Sequence, residues 1–345
     1  MKKLLLLLSV VLFAATTVVA QQKPYAVAFY NLENLFDIYD DPETHDEEFT
    51  PEGVKQWNEV KYQKKLSNLE RVLFDISAIQ REYPIVIGVS EIENRSVLED
   101  LVMQPKLRGA NYRICHFDSP DARGVDCAFL YRADVFKLEG ADNIKLVVEE
   151  LPDFRTRDLV VMWGTIDDEP FYFLVSHWPS RLGGKEASAF KREACAKQIR
   201  EIKDSVLREN PATKVIVMGD FNDDATDSSI VETMGAKGKI KDLETGDFFN
   251  PFNQMLRAGL GTLAYQDAWN LFDNICVTEN LVNASNGEYH LVKGKGMKYW
   301  GNIFSRPYMI QQEGQYKGYP LRTFVTNNFQ NGFSDHFPVY IYISK

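Results

Sequence analysis

Short apolar, β-branched runs recur along this chain, each ending in polar or turn-forming residues. They predict strands at Ala26–Tyr30, Ile85–Val89, Tyr112–His116, Asp126–Tyr131, Leu159–Thr165, Phe171–Ser176, Val215–Met218, Asp273–Val277 and Val339–Ile343. In two places the period lengthens to that of a helix. Between Val54 and Ile79, residues Leu66, Leu69, Val72, Leu73 and Ile76 form one apolar stripe, and a second helix fits Ser188–Leu207 with Ala194, Ile199, Ile202 and Val206 inward. Many strands with few long helices between them predict an α+β layered sandwich. No internal repeat and no Gly/Ser- or Pro-rich linker divides the chain. Asp40–Glu48 is acidic and turn-rich, and predicts a surface loop. Asn283–Arg322 interleaves Tyr289, Tyr299, Trp300, Phe304, Tyr308 and Tyr316 with Lys293, Lys295, Lys298, Arg306 and Lys317. A functional loop and a small packed excursion whose rings are core both fit that composition.

The first twenty residues follow another pattern. Lys2-Lys3 make a basic start, Leu4 to Ala15 an apolar stretch, and Val18-Val19-Ala20 a small-residue cleavage site, which together predict a signal peptide over residues 1–20. The apolar stretch is short for a membrane anchor. The mature chain is then expected to start near Gln21, to be secreted or periplasmic, and to keep no transmembrane anchor after cleavage. Losing Lys2 and Lys3 takes the net charge from −10 to −12, which argues against a broad basic surface for nucleic acid. A local basic cleft or a bound metal would still allow a nuclease. Cys115, Cys127, Cys195 and Cys276 lack the spacing of a zinc site. An oxidising compartment permits disulfides, and Cys115 and Cys127 flank an expected hairpin, but four buried thiols are the expectation.

Chemistry gathers where apolar runs end. Asn31 and Glu33 alternate after the first run, and Glu91 and Glu93 after the second; oxygen ligands at strand ends converge easily on a hard cation. His177 closes the run Phe173-Leu174-Val175-Ser176, with Arg181, Gly183-Gly184 and Lys185 just beyond it. Gly219 ends Val215–Met218, so Asp220 and Asn222 of GDFND can project into a cleft. An Asp there can orient a water or bind metal, and an Asn amide can donate to a phosphoryl oxygen without adding charge. Finally Ser334-Asp335-His336-Phe337-Pro338 supplies a carboxylate and an imidazole on adjacent residues. Neighbours in a strand face opposite ways, so His336 needs an orienting carboxylate from elsewhere, and Asp273 is the candidate.

The elements GDFN and SDHFP, in this order after FYNLEN, VIGVSEIEN and FLVSHWPSR, resemble those of the endonuclease/exonuclease/phosphatase superfamily. That group includes pancreatic-type deoxyribonucleases, abasic-site endonucleases, neutral sphingomyelinases and inositol polyphosphate 5-phosphatases. The resemblance runs from about Tyr25 to Ser344, making 21–345 one domain. It implies a four-layer α/β/β/α sandwich of two packed mixed β-sheets flanked by helices, and hydrolysis of phosphate esters with Mg²⁺ or Mn²⁺. It implies metal contacts from Asn31, Glu91 and Asp335, with Glu33 assisting. His177 would lie on the phosphate side, Asp220 would orient the attacking water, and Asn222 would meet phosphoryl oxygens. Asp273 would orient His336, and Arg123 and Arg181 would bind substrate. Leu32-Glu33-Asn34 is more acidic than usual for the family, and the stretch from Asp273 to Asp335 is longer than compact nucleases need. The expected activity is that of a secreted phosphodiesterase or nuclease, with a phosphatase or sphingomyelinase-like phospholipase acting on a smaller phosphoester as the alternative. A binding protein that has lost its chemistry is disfavoured, because every key position is filled. The expected partner is a phosphoester substrate, nucleic acid among the candidates, and no stable protein partner is implied.

Overall fold

Side-chain alternation in the first strand decides how the layers stack. The computed structural model describes residues 23–345, so the expected signal peptide lies outside the described residues. The principal strands in chain order are β1 (Tyr25–Leu35), β2 (Val86–Ile92), β3 (Tyr112–His116), β4 (Asp126–Arg132), β5 (Phe136–Ile144), β6 (Leu159–Ile166), β7 (Glu169–His177), β8 (Lys214–Asp220), β9 (Asp273–Thr278) and β10 (Val339–Ser344). The principal helices are α1 (Glu59–Gln80), α2 (Arg95–Val102) and α3 (Ala189–Glu209). Along β1, Ala26, Ala28 and Tyr30 join one core with Leu66, Leu69 and Leu73 of α1 and Leu98 of α2. Val27 and Phe29, on the opposite face, join Phe173, Ile216 and Ile275 of the second sheet. Val217 and Leu174 then face outward onto Ala196 and Ile199 of α3. The result is helix, sheet, sheet, helix, as expected.

The first sheet runs β10-β1-β2-β4-β3, with short strands His290–Val292 and Gly301–Ile303 on the far side of β10. The second runs β5-β6-β7-β8-β9, extended by Phe248–Phe249 and Ala236–Lys237. Each sheet carries one parallel pair among these principal strands, β1 with β2 and β7 with β8. Parallel strands end at the same edge, and the two pairs bring four C-terminal ends to one rim. Gly88 of β2 is a point of close approach between the sheets. A Cβ there would lie 2.6 Å from Met218 Sδ and 3.1 Å from Val175 Cγ2.

Departures from the expectations have local causes. Helix α1 starts at Glu59 because Asn58 caps it, its Oδ1 accepting from Lys61 N at 3.2 Å, while Trp57 turns into the core and donates from Nε1 to Phe36 O at 3.0 Å. In α3 Ile199 is buried as expected, but Cys195 and Ala196 share its face, and Ala194, Ile202 and Val206 are only partly covered. The Asp40–Glu48 loop is exposed apart from Asp46 and the partly covered Thr44. Asn283–Arg322 divides: Tyr289 and Phe304 are core, whereas Gln311–Gly318 lies on the surface apart from the partly covered Gln311. All four cysteines are buried free thiols. Cys115 lies opposite Phe129 and Cys127 opposite Ser90, so the two do not meet across the hairpin. Among the described residues no helix is long and apolar enough to cross a membrane.

Candidate active site

The rim is built by breaking the ladder just where the parallel strands end. Register slips between Asn31 and Leu35 on β1 and between Ser90 and Ile92 on β2. Glu33, Asn34 and Glu91 take left-handed backbone there, with φ of 50°, 52° and 57°, and Asn222 does so beyond β8, with φ of 50°. Non-glycine residues in this region store about 1 kcal/mol or more each, and bulges of this kind re-aim side chains. Glu91 is turned into the cleft, where its Oε2 accepts from Asn34 N at 3.1 Å.

The side chains interlock around Asp220. Asn31 Nδ2 donates to Asp220 Oδ2 at 3.1 Å, and Asn222 N donates to Asp220 Oδ1 at 3.0 Å. His177 Nε2 lies 3.5 Å from Asp220 Oδ2 and 3.9 Å from Glu91 Oε1. His336 Nε2 lies 3.7 Å from the same Asp220 oxygen. Its Nδ1 meets Asp273 Oδ2 at 2.7 Å, the pairing expected from sequence. The Ser334–Pro338 stretch is irregular chain rather than strand. Ser334 Oγ donates to Asn31 O at 2.7 Å and accepts from His336 N at 3.1 Å, which fixes His336 against β1. Asp335 faces Arg322, Nη2 to Oδ2 at 3.1 Å.

Several carboxylates and cations are placed differently from the expectation. Glu33 does not line the site: its Oε2 accepts from Thr323 N and Oγ1 at 2.7 and 2.8 Å and lies 3.7 Å from the fully buried Lys65 Nζ. Burial and the Asp335 charge push Glu33 up to about 7, against Lys65. Glu93 turns away from Glu91 and accepts from Asp37 N at 2.6 Å. Arg181 was expected on substrate, but its guanidinium holds the GDFND loop: Nε donates to Asn222 O at 2.8 Å and Nη2 to Asp227 Oδ2 at 2.8 Å. Asn222 gives one amide hydrogen to Trp178 O at 2.9 Å. Arg123 sits half-exposed beside Asp121, 3.7 Å from its carboxylate. Sequence reading missed Arg157, which donates to Asp121 Oδ2 and to Trp178 O, both at 2.9 Å, and so fixes the turn after His177. Its only signal was an Arg-Thr-Arg-Asp cluster just before β6.

Charge is distributed unevenly between the two imidazoles. Burial, then the Arg157, Arg123 and His336 charges, hold His177 well below its usual range, so it is neutral. Burial also works against a charged His336, but Asp273 and Asp220 outweigh it and hold the imidazolium well above the usual range. Asp220 is pushed up to about 6 by burial, with Asp273 and Glu91 adding to it and His336 opposing. Ligand atoms of Asp220, Asp273 and His336 lie within 4.8 Å of one another. Asp273 Oδ1 and His177 Nδ1 are buried without a hydrogen-bond partner. Glu91, Asp220 and Asp335 thus crowd one rim with carboxylates, joined by the Asn31 carboxamide. A hard-oxygen set with excess negative charge suits a divalent cation.

Fold and site together define a phosphoester hydrolase of the metal-dependent kind. The sequence profile of the Endonuclease/Exonuclease/phosphatase family matches residues 26–345, and the chain belongs to that family. No curated protein sequence matches it. Among solved structures it is similar to D. rerio TDP2 complexed with single strand DNA product, at 14% identity and a TM-score of 0.54, covering 94% of this chain and 100% of that one. It is similar to the Bacteroides thetaiotaomicron mannosyl-6-phosphatase Bt3783, at 17% identity and a TM-score of 0.55, covering 93% and 100%. It is also similar to the human Nocturnin catalytic domain with bound sulfate anion, at 14% identity and a TM-score of 0.52, covering 94% and 95%. At these identities the likeness is one of fold.

Proposed function

We propose that this protein is an exported, Mg²⁺- or Mn²⁺-dependent phosphodiesterase whose substrates are nucleotidyl esters. The observation that carries the reading is the convergence of His177 Nε2 and His336 Nε2 on one oxygen of Asp220, at 3.5 and 3.7 Å, with Glu91 beside them. One neutral and one cationic imidazole thus face the same carboxylate oxygen, with a second carboxylate beside His177. Glu91, Asn31 and Asp335 would hold the cation. Bound there, a divalent ion polarises a phosphoryl oxygen and offsets transition-state charge.

The chain's own residues handle position and protons. Asp220, pushed up to about 6, orients the attacking water and can accept its proton near neutral pH. His336, kept cationic by Asp273, faces the charge that develops on the phosphoryl oxygens. Neutral His177 donates a hydrogen bond from Nε2 without adding charge. The second hydrogen of the Asn222 amide would donate to a phosphoryl oxygen.

A smaller phosphoester is the second reading, favoured by the net charge of −10, which repels long polyanions. The test is a panel of plasmid DNA, RNA, sphingomyelin and inositol phosphates, each with and without Mg²⁺. Turnover of the nucleic acids supports the proposal. Turnover of inositol phosphates or sphingomyelin alone moves the assignment to the second reading, and no metal-dependent turnover of any substrate removes both.

A further inference from the structure

One enclosure beside the site is unused by this mechanism. The hairpin Leu263–Tyr265/Ala268–Asn270 and the segment 311–322 face each other across a cavity of ≈ 260 Å³, whose lining includes Tyr265, Gln266, Asp267, Tyr316, Tyr319 and Arg322. A smaller recess carries it on to Asp335. The walls are tied together in advance: Tyr319 Oη donates to Asp267 Oδ1 and accepts from Asp267 N, both at 2.7 Å. The hairpin is also keyed to the catalytic motif, because Trp269 stacks on Phe337 with centroids 6.0 Å apart and planes 16° apart. Phe337 directly follows His336. Arg322 stands at the mouth, 41% exposed, with Asp335 as its partner.

We propose that this cavity is a nucleobase subsite: Tyr265, Tyr316 and Tyr319 receive one unpaired base, and Arg322 holds the phosphate that joins it to the reacting centre. The proposal rests on the phosphoester-hydrolase reading and adds to it the place where the base is held. Three observations carry it. First, the volume falls below the roughly 300 Å³ at which pockets for drug-sized ligands begin, which suits a single ring system. Second, the walls offer π faces and a carboxamide, Gln266; rings supply stacking, and an amide matches the donor–acceptor edge of a base. A sugar would instead call on carboxylate acceptors, and Asp267, the carboxylate in the lining, already accepts from Tyr319 through Oδ1. Third, Tyr265 and Tyr316 remain 67% and 37% exposed, so their rings can meet a ligand.

The test compares two diesters with the same leaving group, thymidine 5′-(p-nitrophenyl phosphate) and methyl p-nitrophenyl phosphate. The full chain should prefer the nucleotidyl ester in kcat/KM. Tyr265→Ala with Tyr316→Ala should cut that preference at least about tenfold, the loss expected for a stacked base, and leave the methyl ester within about twofold. Tyr265→Phe with Tyr316→Phe keeps the rings and should keep the preference. Equal losses on both esters in the alanine variant, or an unchanged ratio, overturn the subsite. Calorimetry with AMP and ribose 5-phosphate gives a readout free of turnover. AMP binding at least about tenfold tighter, lost in the alanine variant, supports the subsite even when neither ester is cleaved, in which case the hydrolase reading alone falls. Ribose 5-phosphate binding as tightly as AMP overturns the subsite whatever the turnover.

Discussion

Replacing Asp273 by Asn tests whether the buried carboxylate and His336 act as one unit. The substitution keeps shape and an oxygen acceptor, and removes one charge that sits 2.7 Å from His336 Nδ1. A hydrogen bond to a charged group is worth about 1.5–3 kcal/mol, and one pKa unit is about 1.4 kcal/mol. The His336 pKa should therefore fall, read by NMR titration of the imidazole in metal-free protein. Asp220, 3.7 Å from Nε2, stays behind and keeps part of the elevation. On a generic phosphodiester His336→Ala should cost at least about 10²-fold in kcat, the range of general acid–base work. Asp273→Asn should cost much of the same, and the double variant little more than His336→Ala alone. The raised His336 pKa also links to stability. The pair's contribution is fully present below about 6.5 and is lost as pH rises through the raised folded value. The urea midpoint difference between the native chain and Asp273→Asn should then be larger at pH 6 than at pH 9. Additive rate losses, or an unchanged imidazole titration, would refute the dyad.

Glu91→Gln keeps the acceptor for Asn34 N and removes the charge; calorimetry should show Mg²⁺ or Mn²⁺ affinity reduced by about 10²-fold, and unchanged affinity would remove Glu91 from the ligand set. Lys65→Met leaves Glu33 buried beside Asp335 and should cost about 3–5 kcal/mol in urea unfolding, most of it restored by adding Glu33→Gln. With Glu33 raised to about 7, the native chain retains a proton that the unfolded chain releases above about 4.5. Stability should therefore fall as pH rises through that window, and Glu33→Gln should flatten the slope; an unchanged slope contradicts the assignment. N-terminal sequencing of the protein from its native host should begin near Gln21, and an intact Met1 in the mature pool would contradict the export signal.

How much of this was legible depends on range. Asp220, Asp273 and His336 could be placed because each follows or opens an apolar run, and a strand end is a local signal. The bulges could not: FYNLENL continues the strand as far as Leu35, and nothing in its letters says that Glu33 turns toward Lys65 while Glu91 turns toward His177. Buried cations were invisible for the same reason. Nothing local marks Lys65, Arg157 or Arg192 for burial, yet each is buried and satisfies a carbonyl or carboxylate brought from elsewhere in the chain. Strand β5 was missed because Phe136-Lys137-Leu138-Glu139 is an edge with one wet face, and its packing partner, Trp163 over Gly140, comes from the next strand. The Leu263–Asn270 hairpin escaped because its two strands are three residues each, joined by Gln266 and Asp267 in left-handed backbone rather than by glycine.

The Ser334 hydroxyl bridges Asn31 on the first strand to His336 near the last, and β10 pairs with β1 from Ile343 opposite Tyr25 onward. Sequence separations this large set the order of events in making the protein. While the chain is being synthesised, β1 has β2 on one side and lacks its other neighbour until Val339–Ser344 emerges. High contact order of this kind makes folding slow, and leaves an open strand edge for as long as the wait lasts. The carboxylates of Glu91 and Asp220 are both made before residue 334, but the imidazolium of His336 that faces Asp220 is not. The charge balance of the rim is therefore reached only after His336 has been made and Ser334 has docked it against β1.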